Sequence, residues 1–291
     1  GWRMALKIWM NTGLVDEAEA RVSVFDHGLL YGDGVFEGIR VYHEKVFELA
    51  AHIQRLFDSA HVIRLPIAMS REELSNAVET TVKANGIRDG YVRLVVTRGV
   101  GTLGLNPFVC KNSHIIIIAD TIQLYPEELY EKGMKVVSAT TIRTHPLAFP
   151  AQVKSLNYLN NIMAKIEALD RGVPEAIMYN HEGYVAEATG DNVFIVQNGT
   201  VLTPPVESGG LGGITRGVVI RLARQLGIEV VEKNLTRYDL YVCDELFLTG
   251  TAAEVIGIVE IDGRRIGDGK PGPTTRRLRE TFDNYARGKG Q

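Results

Sequence analysis

The chain has 291 residues, 45 % of them hydrophobic and 23 % charged, with a formal net charge of −3. At roughly 100–200 residues per domain, that length suits one large domain or two ordinary ones, and it can bury a core without staples. The small charge excludes nucleic acid and anionic membrane as implied partners, no run of about 18 apolar residues offers a membrane span, and Gly1-Trp2-Arg3-Met4 lacks the apolar stretch of a secretory signal.

The N-terminal part reads as a strand over 6–10, a turn-rich stretch and then a hairpin. Its two β-rich runs, 35–42 and 46–49, flank the short polar link His43-Glu44-Lys45. Helical spacing over 52–64 puts Ile53, Leu56, Phe57 and Ala60 on one face. Ser70-Arg71-Glu72-Glu73 is a capping-box pattern ahead of Leu74, Ala77, Val78 and Val82. Residues 91–98 and 114–119 are two more strands. The second is apolar on both faces and so predicted to be buried on both.

Around 120–126 the regular pattern lapses, and Tyr125-Pro126 reads as a turn. The expected division is a small domain over 1–120, a linker over 121–130 and a large domain over 131–291. Beyond the linker come a strand over 135–140, a helix over 159–170 and strands near 176–179 and 193–196. A helix over 214–226 follows, then strands near 229–231 and 245–249, and a last helix through about 274–286. Helices and strands alternate only in part, which predicts α+β packing and not a doubly wound sheet. No internal repeat or low-complexity tract occurs.

Four places suit chemistry, and each also suits something plainer. Gly209-Gly210-Leu211-Gly212-Gly213-Ile214-Thr215-Arg216 leads into an apolar-periodic helix, whose first amides would point at an anion. It serves equally as a flexible loop before a helix. It lacks the Gly-Lys-Ser/Thr of a P-loop and a strong preceding strand for a dinucleotide fingerprint. Thr249-Gly250-Thr251-Ala252-Ala253-Glu254 closes a strand with small residues, fitting a backbone cradle or a packing turn. Glu187, among small and apolar neighbours, suits burial against a cation or an ordinary loop charge. Lys154 is singled out from the other lysines by neither composition nor spacing. His27, His52 and His145 make no metal pattern, HExxH and CxxC are absent, and so is Gly-x-Ser-x-Gly. Cys110 and Cys243 are far apart, which favours a reducing compartment over a disulfide framework.

Seven segments in one order carry a resemblance over nearly the whole chain. They are Tyr31-Gly32-Asp33-Gly34-Val35-Phe36-Glu37-Gly38-Ile39-Arg40, His52-Ile53-Gln54-Arg55-Leu56, Tyr91-Val92-Arg93, Lys154-Ser155-Leu156-Asn157-Tyr158, Glu187 through Phe194, Gly213-Ile214-Thr215-Arg216 and Thr249 through Glu254. Together they resemble the fold-type IV pyridoxal-phosphate (PLP) enzymes, and within them the branched-chain amino-acid aminotransferases. The resemblance implies an α+β, two-domain, D-amino-acid-aminotransferase-like fold with a small N-terminal and a larger C-terminal α/β domain. PLP needs a lysine for its Schiff base, a carboxylate for its pyridine nitrogen and a cradle for its phosphate. Residue by residue, Lys154 matches the Schiff-base lysine and proton shuttle. Tyr158 matches the tyrosine on the phenolic oxygen, and Glu187 the carboxylate at the ring nitrogen. Arg55, Ile214, Thr215 and Thr251 match the phosphate cup.

For the substrate, Tyr91 and Arg93 match positions that organise the α-carboxylate, joined by the amides of Thr251 and Ala252. Tyr31, Phe36 and Gly38 match the side-chain pocket walls, and Arg40 or Arg93 the help given to glutamate's side chain. The resemblance implies ping-pong transamination between L-leucine, L-isoleucine or L-valine and 2-oxoglutarate, in a cytoplasmic homodimer or higher homo-oligomer without metal. D-amino-acid or (R)-amine transaminases and aminodeoxychorismate lyases share the lysine, glutamate and cup. Phe36-Glu37-Gly38-Ile39-Arg40 and Tyr91-Val92-Arg93 favour the branched-chain group. A non-catalytic PLP binder would not require the shuttle set Lys154, Tyr158, Glu187 and Arg55. One stretch, Leu94 through Pro107, departs from the common bacterial pattern and is closer to archaeal and thermophile-like members. In the family this loop reaches across the dimer, and Arg98 is expected there as an extra cation that widens substrate acceptance.

Overall fold

A computed structural model describes residues 4–123 and 125–289. It divides into two compact units. One comprises Gly1–Gln123 with Val153–Asn157, and the other Leu124–Gln152 with Tyr158–Gln291. Leu124, within the stretch read as linker, lies outside the described residues.

The first unit contains β1 (Lys7–Met10), β2 (Gly13–Asp16), α1 (His27–Tyr31), β3 (Gly34–Tyr42), β4 (Lys45–Val46), α2 (Leu49–Val62), α3 (Arg71–Ala84), β5 (Gly90–Thr97) and β6 (His114–Asp120). Its strands form one antiparallel sheet in the order β2-β1-β6-β5-β3-β4. The capping box of α3 forms as its sequence predicts, with Ser70 and Glu73 bonding each other's backbone N–H. The hairpin between β3 and β4 turns through His43 and Glu44, both at positive φ, as a tight hairpin requires. Its second strand is shorter than the expected 46–49. Glu48 adopts a left-handed conformation, and Leu49 already opens α2.

One sheet face is the core. Val35, Ile39, Val41, Val92, Leu94, Val96, Ile115, Ile117 and Ala119 are buried on it, along with Ile53, Leu56 and Ala60 of α2 and Leu74, Ala77 and Val78 of α3. Each valine, leucine or isoleucine among them contributes about 1.5–3 kcal/mol when fully buried. The expectation that β6 is buried on both faces is wrong. Ile115 and Ile117 are inside, whereas Ile118 is 36 % exposed. The helices cover one face, so period-2 alternation decides burial even where every residue is apolar.

The second unit contains α4 (Glu127–Lys132), β7 (Met134–Ser138), α5 (Leu159–Asp170), β8 (Glu175–Tyr179), β9 (Val185–Ala188), β10 (Asn192–Gln197), β11 (Thr200–Thr203), α6 (Ile214–Gln225), β12 (Val230–Glu232), α7 (Arg237–Val242), β13 (Glu245–Gly250), β14 (Glu254–Ile261), β15 (Arg264–Arg265) and α8 (Pro273–Arg287). Its sheet has nine strands, in the order β12-β11-β10-β13-β14-β7-β8-β9, with β15 on β14. Parallel pairs, β14 with β7, β7 with β8 and β11 with β12, sit among antiparallel ones. This mixed sheet with its helices is α+β, as expected. The core gathers Val136, Ile177, Val193, Ile195, Leu246, Leu248, Ile256 and Ile258. α4 occupies part of the stretch read as linker, and β14, the most central missed strand, has no counterpart among the expected elements.

Candidate active site

In the first unit the site is built on the sheet face opposite the core. Residues 154–156 return to β3 and pair with its first residues. Phe36 N–H donates to the Lys154 carbonyl at 3.0 Å, Leu156 N–H donates to the Gly34 carbonyl at 3.0 Å, and Ser155 bridges Val35. The expected domain division assigns 154–156 to the large domain, whereas these hydrogen bonds tie it to β3. The Lys154 N–H donates to Ser59 Oγ of α2 at 3.1 Å, so both backbone groups of Lys154 are held. This register puts Lys154 on the same face as Phe36, with Nζ 4.3 Å from the Phe36 ring centroid.

Neighbouring strands fill that face. Cross-strand pairs place Arg93 beside Gly38 and Tyr91 beside Arg40. The Arg93 guanidinium lies 4.6 Å from the Phe36 ring and 5.4 Å from the Tyr91 ring. Burial raises the pKa of Tyr91, so its hydroxyl stays a donor at neutral pH. Gly38 is required by packing: an added Cβ would come within 1.7 Å of Tyr91 Oη. Gly38→Ala is therefore expected to push Tyr91 off the face, at about 1–3 kcal/mol of overpacking. Steady-state kinetics with L-leucine should show a raised KM, and an unchanged KM would refute the packing argument.

Arg40 is buried and stacks 4.8 Å over Tyr42. Tyr31 is elsewhere. It ends α1, is 38 % exposed, and its hydroxyl donates to the Leu103 carbonyl. Arg55 of α2 forks onto Glu37 through Nε at 2.9 Å and Nη2 at 2.6 Å, and His52 Nδ1 meets Glu37 Oε1 at 2.6 Å. Sequence reasoning gives Glu37 and His52 no role. Their signal is present all the same: Glu37 is a charge within a strand, and His52 and Arg55 are three apart on a helix. Arg98 is not a spare cation. It is 5 % exposed, forks onto Asp33 at 2.9 and 3.1 Å, and donates to the carbonyls of Arg64 and Ile63 beyond the end of α2. It closes a helix C-terminus, where a cation is stabilising.

In the second unit the remaining candidates form a continuous set. Glu187 on β9 is 5 % exposed, accepting from Arg143 Nε at 2.6 Å and from the Leu211 N–H at 3.0 Å. Asn192 Nδ2 donates to the Leu211 carbonyl at 2.8 Å, and Asn192 pairs with Thr249 across β10 and β13. Thr249 leads into the turn of Thr251 and Ala252. The loop needs its glycines where it is tight: a Cβ on Gly210 would lie 2.7 Å from the Ala186 carbonyl oxygen, and one on Gly213 2.1 Å from Asn192 Oδ1. α6 then begins at Ile214 and Thr215, with no side chain capping its first amides. Tyr158 precedes α5 as its N-cap. Asp191 is buried. Burial first, then the charge of Glu175, raises its pKa well above the usual carboxylate range.

This donor set suits PLP. Uncapped helix amides and a Gly-lined backbone fit a phosphate, and Glu187 is a buried carboxylate fit for a pyridinium. The buried Thr249 Oγ1, just before the turn, has no hydrogen-bond partner within the protein. Among the described residues, no cluster of His, Cys, Asp and Glu is placed to hold a metal ion.

Both units are those of a fold-type IV enzyme. The family profile of class IV aminotransferases (Amino-transferase class IV) matches residues 34–261. A branched-chain-amino-acid aminotransferase of Pseudomonas aeruginosa is 41 % identical, covering 97 % of this chain and 93 % of its own. The Escherichia coli branched-chain amino acid aminotransferase structure superposes with a TM-score of 0.95 at 37 % identity, over 99 % of this chain and 96 % of that one. The branched-chain amino acid aminotransferase of Thermobaculum terrenum, solved in its PLP-bound holo form, gives 0.88 at 33 % identity, over 98 % and 95 %. The chain belongs to the class IV aminotransferases, and pyridoxal 5'-phosphate is its cofactor.

Proposed function

We propose that the protein exchanges the amino group between L-leucine, L-isoleucine or L-valine and 2-oxoglutarate, by a ping-pong mechanism, giving branched-chain 2-oxo acids and L-glutamate. The observation that carries this reading is the face around Lys154. Phe36, Gly38 and Tyr91 make it apolar and aromatic, and Arg93 adds one cation. Each methylene buried on such a wall contributes about 0.8 kcal/mol, which favours branched aliphatic side chains. The likeness to branched-chain aminotransferases over almost the whole chain supports the same reading.

When bound, PLP supplies an electrophilic carbon and an electron sink. Lys154 is its covalent anchor and the base that moves the proton at the substrate Cα. Tyr158 serves the phenolic oxygen, and Glu187 the pyridine nitrogen. Arg55, Thr215, Thr251 and the amide of Ile214 hold the phosphate. Arg93, Tyr91 and the amides of Thr251 and Ala252 orient the α-carboxylate. Arg93 and Arg40 supply the cations that glutamate's side chain needs in the second half-reaction.

The working unit in this reading is a cytoplasmic homodimer. Leu159, Ile162, Met163, Ile166 and Leu169 form an exposed apolar stripe on α5, and Val24, Leu29 and Leu103 expose another apolar surface on the first unit. Tyr31 is held by Leu103 and not by the Phe36 face, which fits a wall residue supplied to the partner's pocket. Both cysteines are free, as a reducing compartment favours. Among the described residues, no helix is long and apolar enough to cross a membrane.

The deciding experiment is a donor panel of L-leucine, D-alanine and (R)-phenylethylamine, each with 2-oxoglutarate. L-leucine should be turned over far faster than the other two. Strong turnover of D-alanine with none of L-leucine would replace the assignment by a D-amino-acid transaminase.

A further inference from the structure

We propose, resting on Glu187 as the partner of the pyridine nitrogen, that Arg143 is a positioning residue that keeps the shared proton on that nitrogen and off the Glu187 carboxylate. Arg143 lies outside helix and strand, in the stretch after β7, and no motif in the sequence marks it. It is 8 % exposed and fixed at both ends. Its backbone N–H donates to the Tyr179 carbonyl at 2.8 Å. Its Nε donates to Glu187 Oε2 at 2.6 Å, and its Nη1 to Asn160 Oδ1 at 2.7 Å. Asn160 is itself anchored: Nδ2 donates to the Ile142 carbonyl at 2.8 Å, and Oδ1 also accepts from the Thr144 N–H at 3.2 Å. The glycine loop passes near the same side chain: a Cβ added at Gly209 would lie 3.4 Å from Arg143 Cγ.

A carboxyl group this deeply buried favours its neutral form, because low dielectric penalises the charge. A neutral Glu187 would keep the proton and only donate a hydrogen bond to an unprotonated ring nitrogen. The proton count would be the same, but the ring would lose its positive charge and much of its power as an electron sink. The guanidinium cannot give up its proton, and at hydrogen-bond distance it favours the carboxylate form of Glu187. The proton shared between Glu187 and the ring then stays on nitrogen. Asn160 fixes the guanidinium, and the Leu211 N–H fixes the carboxylate.

The test uses the holoenzyme reconstituted with PLP carrying 15N in the ring, whose 15N NMR shift reports directly whether that nitrogen is protonated. The parent protein is expected to show a protonated nitrogen, and E187Q a neutral one. R143M is expected to move the shift toward neutral. Its kcat should fall by about 10–1,000-fold, matching the one to three pKa units an adjacent opposite charge carries, with little change in KM. R143K, which keeps the charge without the guanidinium that joins Glu187 to Asn160, should lie between.

A protonated nitrogen in R143M, with a neutral one in E187Q, overturns the role of Arg143 and leaves Glu187 as the nitrogen's partner. A protonated nitrogen in E187Q overturns the assignment of Glu187 itself. Should R143M fail to fold, N160L removes the anchor of Arg143 and is read the same way: a shift moved toward neutral supports the proposal, and a parent-like shift overturns it.

Discussion

Lys154→Ala is expected to abolish transamination while leaving the fold intact. Two main-chain contacts hold residue 154, to Ser59 Oγ and to Phe36 N–H, and alanine keeps both. What is lost is the amine 4.3 Å from the Phe36 ring. With it go the covalent anchor of the cofactor and the base for proton transfer. Proton transfer by a positioned side chain contributes about 10²–10⁴-fold by itself, so turnover should fall by at least that much. The checks are the L-leucine rate and labelling by borohydride reduction, which should mark Lys154 in the parent protein and nothing in the variant. Full activity in Lys154→Ala would remove the basis of the site assignment.

The second large effect concerns stability. Glu37 is fully buried and joins both His52 and Arg55. Glu37→Leu strands the Arg55 cation, and breaking a buried pair in this way costs about 3–5 kcal/mol. The denaturation midpoint should fall accordingly, with little change in the slope of unfolding free energy against denaturant. Cofactor retention on dialysis should fall with it, because Arg55 loses the fork that orients it. A Glu37→Leu protein as stable as the parent would show that the triad contributes nothing.

The same triad gives the protein an acid limit. Burial pushes the Glu37 pKa up, but hydrogen bonds and charge from His52 and Arg55 outweigh it and bring the value below 4.5. Burial pushes His52 below its ordinary 6.5, so it is neutral when folded. Both groups therefore bind protons more readily in the unfolded chain. Their stabilisation is complete above pH 6.5. The His52 share declines as the pH falls below that value, and the Glu37 share is lost as the pH falls from 4.5 through its folded value. Denaturation midpoints measured across this range should decline toward acid, and the decline should be smaller in Glu37→Leu.

Elements whose signals lie within a few residues were legible in the sequence. The α3 capping box, α5 and α6 with their apolar stripes, and α8 between Pro273 and Gly288 all fall close to their expected positions. β14 was missed because Glu254–Ile261 is a mostly apolar run with a glycine inside and does not alternate, although Asp262-Gly263 after it is a clear turn signal. The second face of β6 misled for the opposite reason: its isoleucines look like core, yet Ile118 on that side is 36 % exposed. Cofactor chemistry was legible only through the order of seven segments, since no single one of them was decisive alone.

The sequence by itself therefore determined the α+β class, most helices and the family's residues in their order. Tertiary structure alone decided how those residues are held. Lys154 gains its place from antiparallel pairing with β3, distant in the chain, and from a hydroxyl on α2. Arg98, read as a spare cation, is spent on Asp33 and two carbonyls. Arg143, unmarked by any motif, reaches Glu187. The physical reason is the same in each case. Helix caps and periodicity are fixed by near neighbours, whereas sheet register and buried charge pairing join residues far apart, and one sequence contains no local trace of which charges will meet.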